Sequence, residues 1–320
     1  MRLCPLSEIK KMIDKRLDAL TDWLETFFGD ENFVINNASD DASFRRYFRV
    51  ERQNTTFIAM DAPPEKENSK TFIKISAMLR VNNIHAPKII EADLTQGFLL
   101  IEDLGNLTFL KALSKDKLIT LYKKAIDELI KMQAIDCHND LPLYDHALLK
   151  KEMQLLIDWY LPKNINDKQQ QQLTDIFQIL SDNALNSPQV FVHRDYHARN
   201  MMMLDNEVTV IDFQDAVIGS NTYDLCSLLK DAYLQLEPIE IKILLQYYQQ
   251  QTSNKIKFSE FEKQFELMGL QRHLKILGIF KRLSLRDGKN QYLNDIPLVK
   301  KYVLQIANKY PEFALFKEIL

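Results

Sequence analysis

The hydrophobic period of this 320-residue chain changes once, at the stretch IEDLGNLT, residues 101–108. Before it, apolar runs of strand length follow one another at 44–51 and 55–60, then as a pair at 88–92 and 98–102 around a turn containing Gly97. Two helical stripes flank these runs. Ile9, Met12, Ile13, Leu17, Leu20, Leu24 and Phe27 predict an amphipathic helix over 9–28, capped by Ser7 and stopped by Gly29, and residues 70–81 read as a second helix. The order helix, strand, strand, helix, hairpin describes a small α+β lobe on an antiparallel sheet, filling residues 1–101. Beyond it the spacing of Leu118, Leu121, Tyr122, Ala125, Ile126, Leu129 and Ile130 is helical, so residues 102–320 form a larger, mainly helical lobe. Only two short apolar runs, 190–192 and 208–211, interrupt its helices, and each leads straight into a polar cluster. No period of repeat-protein length is present, which excludes solenoids.

Charge narrows the partners. With 41 Lys and Arg against 44 Asp and Glu, the formal charge is -3, so no general basic field exists to hold nucleic acid or an anionic membrane. A small molecule is the expected partner. Cys4, Cys137 and Cys226 are far apart and lack C-x-x-C pairing, which suits a reducing compartment and provides neither a disulfide framework nor a structural zinc site. No run approaches 18 uninterrupted apolar residues and no secretory leader is evident, so the expectation is a cytoplasmic protein without a membrane span.

The polar clusters carry the chemistry. His193, Arg194, Asp195 and Asn200 spell H-R-D-x-x-x-x-N, the spacing of a kinase catalytic loop. Twelve residues past Asn200, after the strand-like EVTVI, Asp212 opens DFQD where a kinase places its metal aspartate. Phosphoryl transfer gathers negative charge on the γ-phosphate oxygens, so it needs a divalent cation on the phosphates and a carboxylate on the attacking hydroxyl. Asp195 is therefore the expected base, Asn200 and Asp212 the expected Mg²⁺ ligands, and ATP the expected phosphoryl donor. A hard cation of this kind takes one or two protein oxygens and completes its shell from phosphates and water. His193, following VFV, is expected to be a hydrogen-bonded structural residue rather than a base.

On these residues the chain resembles the aminoglycoside phosphotransferase family, small-molecule kinases with the bilobal protein-kinase-like fold. The longer strings SFRRYFRV (43–50), MDAPPEKE (60–67), VIDFQDAVIGSNTYDL (210–225) and QRHLKILGIF (271–280) are similar to those of its bacterial anomeric amino-sugar kinases. That similarity implies phosphorylation of the C1 hydroxyl of N-acetylmuramate and N-acetylglucosamine in peptidoglycan recycling. It also implies a sugar-1-phosphate nucleotidylyltransferase as a downstream partner in the pathway. By the same resemblance Glu102, Asp103 and Leu104 form the hinge that meets adenine, and Asp224 in TYDL braces the catalytic loop.

The pattern departs from protein kinases in three places. The first turn, NASDDASFRRY, contains no glycine, and the strand expected to carry a phosphate-binding lysine reads FIAMDAPP. Arg45 and Arg46, with the backbone N–H groups of Ser43 and Phe44, are candidate phosphate contacts, and a solvated face is the alternative for the two arginines. Gln214 stands where the metal motif usually has glycine, which restricts positive φ there. Arg199, Gln214, Asp215, Arg272 and His273 are candidate substrate contacts, each also explicable as a brace of the fold. Two other readings stay open on sequence alone: an aminoglycoside, choline or other amino-alcohol acceptor, and an inactive nucleotide-binding scaffold.

Overall fold

A computed structural model describes residues 14–39, 44–161, 165–252 and 255–320. The chain divides into two compact units, the first running to Lys74 and including Pro87–Asp103, the second comprising Ile75–Ala86 and Leu104–Leu320.

The first unit is a five-stranded antiparallel sheet with a helix on it. Helix α1 (Lys15–Phe28) begins at Asp14, whose Oδ1 accepts the Leu17 N–H at 3.1 Å, and ends at Gly29 in the left-handed region, φ 75°. The expected start was earlier, and Ser7 lies outside the described residues. Strands β1 (Val34–Ser39), β2 (Arg46–Arg52) and β3 (Thr55–Asp61) form a meander; helix α2 (Ser69–Val81) follows, then β4 (Ile89–Asp93) and β5 (Phe98–Glu102). The sheet order is β1-β2-β3-β5-β4. Strand β1 is missing from the sequence reading because VINNAS lacks apolar alternation; it is an edge strand whose register slips between Asn37 and Ser39. Leu20 and Leu24 of α1 bury against Phe48, Val50, Ala59, Phe98 and Leu100 from the central strands. Gly97 has φ 79°, and a Cβ there would lie 2.0 Å from the Ala62 carbonyl oxygen, so the β4–β5 turn needs glycine.

The second unit is mainly helical. Short α3 (Phe109–Ala112) leads to α4 (Leu118–Gln133), α5 (His146–Leu155) with a π-helical extension at Leu156–Tyr160, and α6 (Asp167–Leu185). Four short strands follow: β6 (Gln189–Val192) pairs antiparallel with β9 (Val217–Ser220), and β7 (Met201–Leu204) forms a hairpin with β8 (Glu207–Val210). Then come α7 (Tyr223–Leu229), α8 (Pro238–Gln251), the 30-residue α9 (Phe258–Asp287), α10 (Ile296–Lys309) and α11 (Phe316–Ile319). Helix α9 is buried through its middle, where Leu270, Leu274 and Leu277 join Met153, Phe177, Val303 and Phe316 in the main core. At Gly278 a Cβ would meet the Leu155 carbonyl carbon at 2.3 Å, so glycine is what lets α9 reach the end of α5.

A single boundary after residue 101 differs from this division in two ways. The chain passes from the first unit to the second between Asp103 and Leu104, and the end of α2 belongs to the second unit. There the His85 carbonyl accepts the Val210 N–H at 2.9 Å, and the His85 N–H donates to Glu128 at 3.2 Å. Among the described residues no helix is long and apolar enough to cross a membrane.

Candidate active site

Strand β6 buries Phe191 and Val192 and delivers His193 to a loop that its neighbours hold from several sides. Fully buried Asp224, in the first turn of α7, accepts the backbone N–H of His193 at 2.6 Å and of Arg194 at 3.0 Å. His193 Nδ1 accepts the Asp195 N–H at 3.3 Å and its Nε2 donates to the Ile211 carbonyl at 3.0 Å, which fixes the tautomer. Asp231 accepts from the Ala198 N–H at 3.2 Å, and the Tyr196 hydroxyl donates to the Ala125 carbonyl at 2.7 Å. Arg194 and Asp212 are both non-glycine residues in the left-handed region, at φ 75° and 63°. Such backbone costs on the order of 1–3 kcal/mol and persists only where surroundings over-determine it.

Within this frame the expected base and metal residues converge. Asn200 Nδ2 donates to the Asp195 carbonyl at 3.1 Å and to Asp212 Oδ2 at 3.2 Å, so the amide oxygen of Asn200 is the atom that would suit a hard cation. Gln214 Nε2 donates to Asp212 Oδ1 at 2.8 Å, so the side chain that replaces glycine fixes the carboxylate. One carboxylate and one amide oxygen suit a hard cation that takes its remaining ligands from phosphates and water. Among the described residues, no group of three or more His, Cys, Asp and Glu side chains forms a self-sufficient metal cage.

Half-buried Asp195 faces a cavity of about 160 Å³ lined also by His197, Tyr223, Tyr233 and Tyr292. One face of α9 closes it, with Arg272, Lys275, Ile276, Ile279, Phe280 and Leu283 at helical spacing. Burial would raise the Asp195 carboxyl, yet Lys275, His197, Arg272 and His193 hold it below the ordinary value of 3.8. It is a carboxylate at neutral pH. Beside it lies a buried ionic cluster: the Glu152 carboxylate on α5 accepts from Arg194, from the Tyr144 hydroxyl, and from Lys275 Nζ at 3.0 Å. Burial opposes ionisation of Glu152 too, and Lys275 and Arg194 overcome it. Lys275 Nζ also reaches the Tyr223 hydroxyl at 3.1 Å.

Sequence reasoning missed Glu152, Lys275, His197 and Tyr233. The available signal was a charge on a buried stripe: Glu152 lies three residues past Leu149, and Lys275 adjoins Leu274 and Ile276.

The structure gives three of the candidates partners within the fold. Arg45 is buried and donates to Glu67 at 2.8 Å, so it is neither a solvated side chain nor an uncommitted phosphate ligand. Arg46 bridges Asp14 and the fully buried Asp61, which also accepts from Arg16 Nε at 2.8 Å; its guanidinium serves this clamp. Asp61, on the strand expected to carry a phosphate-binding lysine, is thus a structural carboxylate. His273 does not face the cavity: its Nε2 hydrogen-bonds the Lys230 carbonyl at 3.0 Å, its ring stacks on Tyr302, and burial pushes its pKa down to about 3.

The other candidates hold varied positions. Phe44 is exposed, with Lys66 4.3 Å from its ring centre, and Ser43 lies outside the described residues. Glu102 and Asp103 belong to the first unit, where Glu102 accepts the Lys88 N–H at 3.1 Å and Asp103 pairs with Arg49 at 2.7 Å; Leu104 opens the second unit and is buried. Exposed Arg199 stacks 3.6 Å above the Tyr233 ring centre. Asp215 is exposed and offers its carbonyl to Arg194 Nη1 at 3.3 Å.

An ionised loop aspartate, set beside an amide and a carboxylate suited to a divalent cation, is an arrangement that phosphoryl transfer can use. The model of the phosphotransferase enzyme family matches residues 34–258, and the chain belongs to that family. A curated N-acetylmuramate/N-acetylglucosamine kinase of Pseudomonas putida is 39% identical over 96% of each chain. One from Neisseria meningitidis is 35% identical over 92% of each chain. Among solved structures, the choline kinase LicA from Streptococcus pneumoniae superposes with a TM-score of 0.67 at 12% identity, covering 90% of this chain and 98% of its own. The family resemblance and the kinase-like fold expected from sequence both stand.

Proposed function

We propose that the protein transfers the γ-phosphoryl group of ATP to the C1 hydroxyl of N-acetylmuramate and N-acetylglucosamine. The observation that carries this reading is the convergence of Asp195, Asn200 and Asp212 in one hydrogen-bonded loop system. The sugars come from the kinases to which the chain is similar.

The Asp195 carboxylate accepts the proton of the anomeric hydroxyl as its oxygen bonds to the γ-phosphorus and the bond to the ADP oxygen breaks. A hemiacetal hydroxyl is more acidic than a simple alcohol, so a carboxylate is a sufficient base. Mg²⁺, held by Asp212 and the Asn200 amide oxygen, would supply charge neutralisation at the phosphates. Asp224 keeps the loop in place through two backbone hydrogen bonds, and Gln214 keeps Asp212 oriented. The segment Glu102–Leu104 remains the proposed adenine contact. A cytoplasmic location, where ATP is available, and a place in peptidoglycan recycling ahead of a sugar-1-phosphate nucleotidylyltransferase complete the reading.

Cationic acceptors fit less well, because Arg272 and Lys275 line the cavity that holds Asp195. An inactive scaffold would have no use for the strained backbone at Arg194 and Asp212. Asp195→Asn tests the assignment. Turnover should fall by roughly 10²–10⁴-fold while ATP affinity stays near wild type. Wild-type turnover in this variant would remove Asp195 from its role.

A further inference from the structure

We propose that Arg272 forms an anion subsite in the acceptor cavity and takes the carboxylate of a sugar acid such as N-acetylmuramate. The inference rests on the sugar-kinase reading and adds to it a basis for distinguishing acidic from neutral acceptors.

Three cations surround Asp195, and two are committed. Arg194 and Lys275 both reach the Glu152 carboxylate, and Lys275 also bonds the Tyr223 hydroxyl. Arg272 differs. Only 4% of the residue is exposed, and its Nε and Nη1 are buried with no hydrogen-bond partner. Burying guanidinium donors unsatisfied is costly, so their retention points to a partner that arrives with the substrate. Arg272 lines the same 160 Å³ cavity as Asp195, one helical turn from Lys275 on the face of α9.

An incoming carboxylate is suited to this position. It satisfies buried donors with charge-assisted hydrogen bonds, and Arg272 offsets its repulsion from the Asp195 carboxylate. N-acetylmuramate differs from N-acetylglucosamine by a lactyl ether bearing such a group. Anchoring that group at Arg272 orients the sugar about a point separate from the base. The same donors also suit the other anion of this reaction, the transferring phosphoryl group, and kinetics separates the two.

The experiment compares wild type, Arg272→Gln and Arg272→Lys with both sugars under MgATP, after thermal unfolding confirms that each variant is folded. A carboxylate subsite requires the ratio of kcat/KM for N-acetylmuramate over N-acetylglucosamine to fall at least tenfold in Arg272→Gln, chiefly through KM. Arg272→Lys should recover part of the ratio, and it decides the matter if the Gln variant does not fold. An unchanged ratio overturns the proposal. Equal losses of kcat for both sugars also overturn it and assign Arg272 to the phosphoryl group. Calorimetry without nucleotide separates this test from that of the function: wild-type protein that binds the acid more tightly than the neutral sugar, and loses that preference in Arg272→Gln, supports the subsite even without turnover. Wild-type protein that binds both sugars equally contradicts it.

Discussion

Replacing Asp224 by Asn sets two large effects against each other. The carboxylate is fully buried and takes two backbone N–H groups, at 2.6 and 3.0 Å. Asn has one acceptor oxygen, so its amide nitrogen would face the second N–H, and losing a hydrogen bond to a charged acceptor costs about 1.5–3 kcal/mol. Opposing this, burial raises the Asp224 pKa from 3.8 to about 6, despite the favourable His193 and Arg194 contacts. A shift of that size makes ionisation in the folded protein costly by about 3 kcal/mol. Because the folded pKa is raised, this stabilising contribution is complete below pH 4 and lost as pH rises through 6. The variant does not have this dependence. Its melting temperature relative to wild type should therefore improve by about 6–12 °C between pH 4 and pH 7.5, taking 2–4 °C per kcal/mol for a unit of this size. Near neutral pH the two effects nearly cancel and stability changes little. Catalysis should not share that cancellation, because displacing the loop ahead of Asp195 by about 1 Å costs on the order of 10²-fold in kcat. Scanning calorimetry across pH, with kcat at pH 7.5, is the assay. Parallel melting curves across the pH range, or full activity in the variant, would refute the reasoning.

Two further substitutions probe the scaffold. Gly278→Ala would place a methyl 2.3 Å from the Leu155 carbonyl carbon, and since the obstacle is backbone, a loss of about 3 kcal/mol or more is expected in denaturant unfolding. Lys275→Met leaves Glu152 buried with one cation in place of two; a loss of about 3 kcal/mol is expected, and an unchanged urea midpoint would count against the cluster.

The legible part of the site is the part that is local in sequence. Asp195, Asn200 and Asp212 sit in loops whose contacts run over a few residues or across one hairpin, so spacing and flanking strands suffice to place them. The Glu152 cluster joins α5, the catalytic loop and α9, and Glu152 lies 42 residues from Arg194 in sequence. No local pattern encodes that meeting. Arg45 and Arg46 show the same limit, because a basic pair reads alike whether it meets phosphate, water or the carboxylates of Glu67 and Asp61. His273 and Arg272 are neighbours on α9, yet one helical step of 100° turns the first to the Lys230 carbonyl while the second lines the cavity. The sheet is readable from its apolar strands, the edge strand β4 included, whereas β1, with little alternation, is not.

The central claim is phosphoryl transfer to the anomeric oxygen, and the direct measurement is the product. Incubation with MgATP and either N-acetylmuramate or N-acetylglucosamine, followed by phosphorus and proton NMR, should show ADP and a phosphorus signal coupled to H1 of the sugar. Phosphorus on another hydroxyl, or MgATP bound with neither sugar modified, would contradict the account.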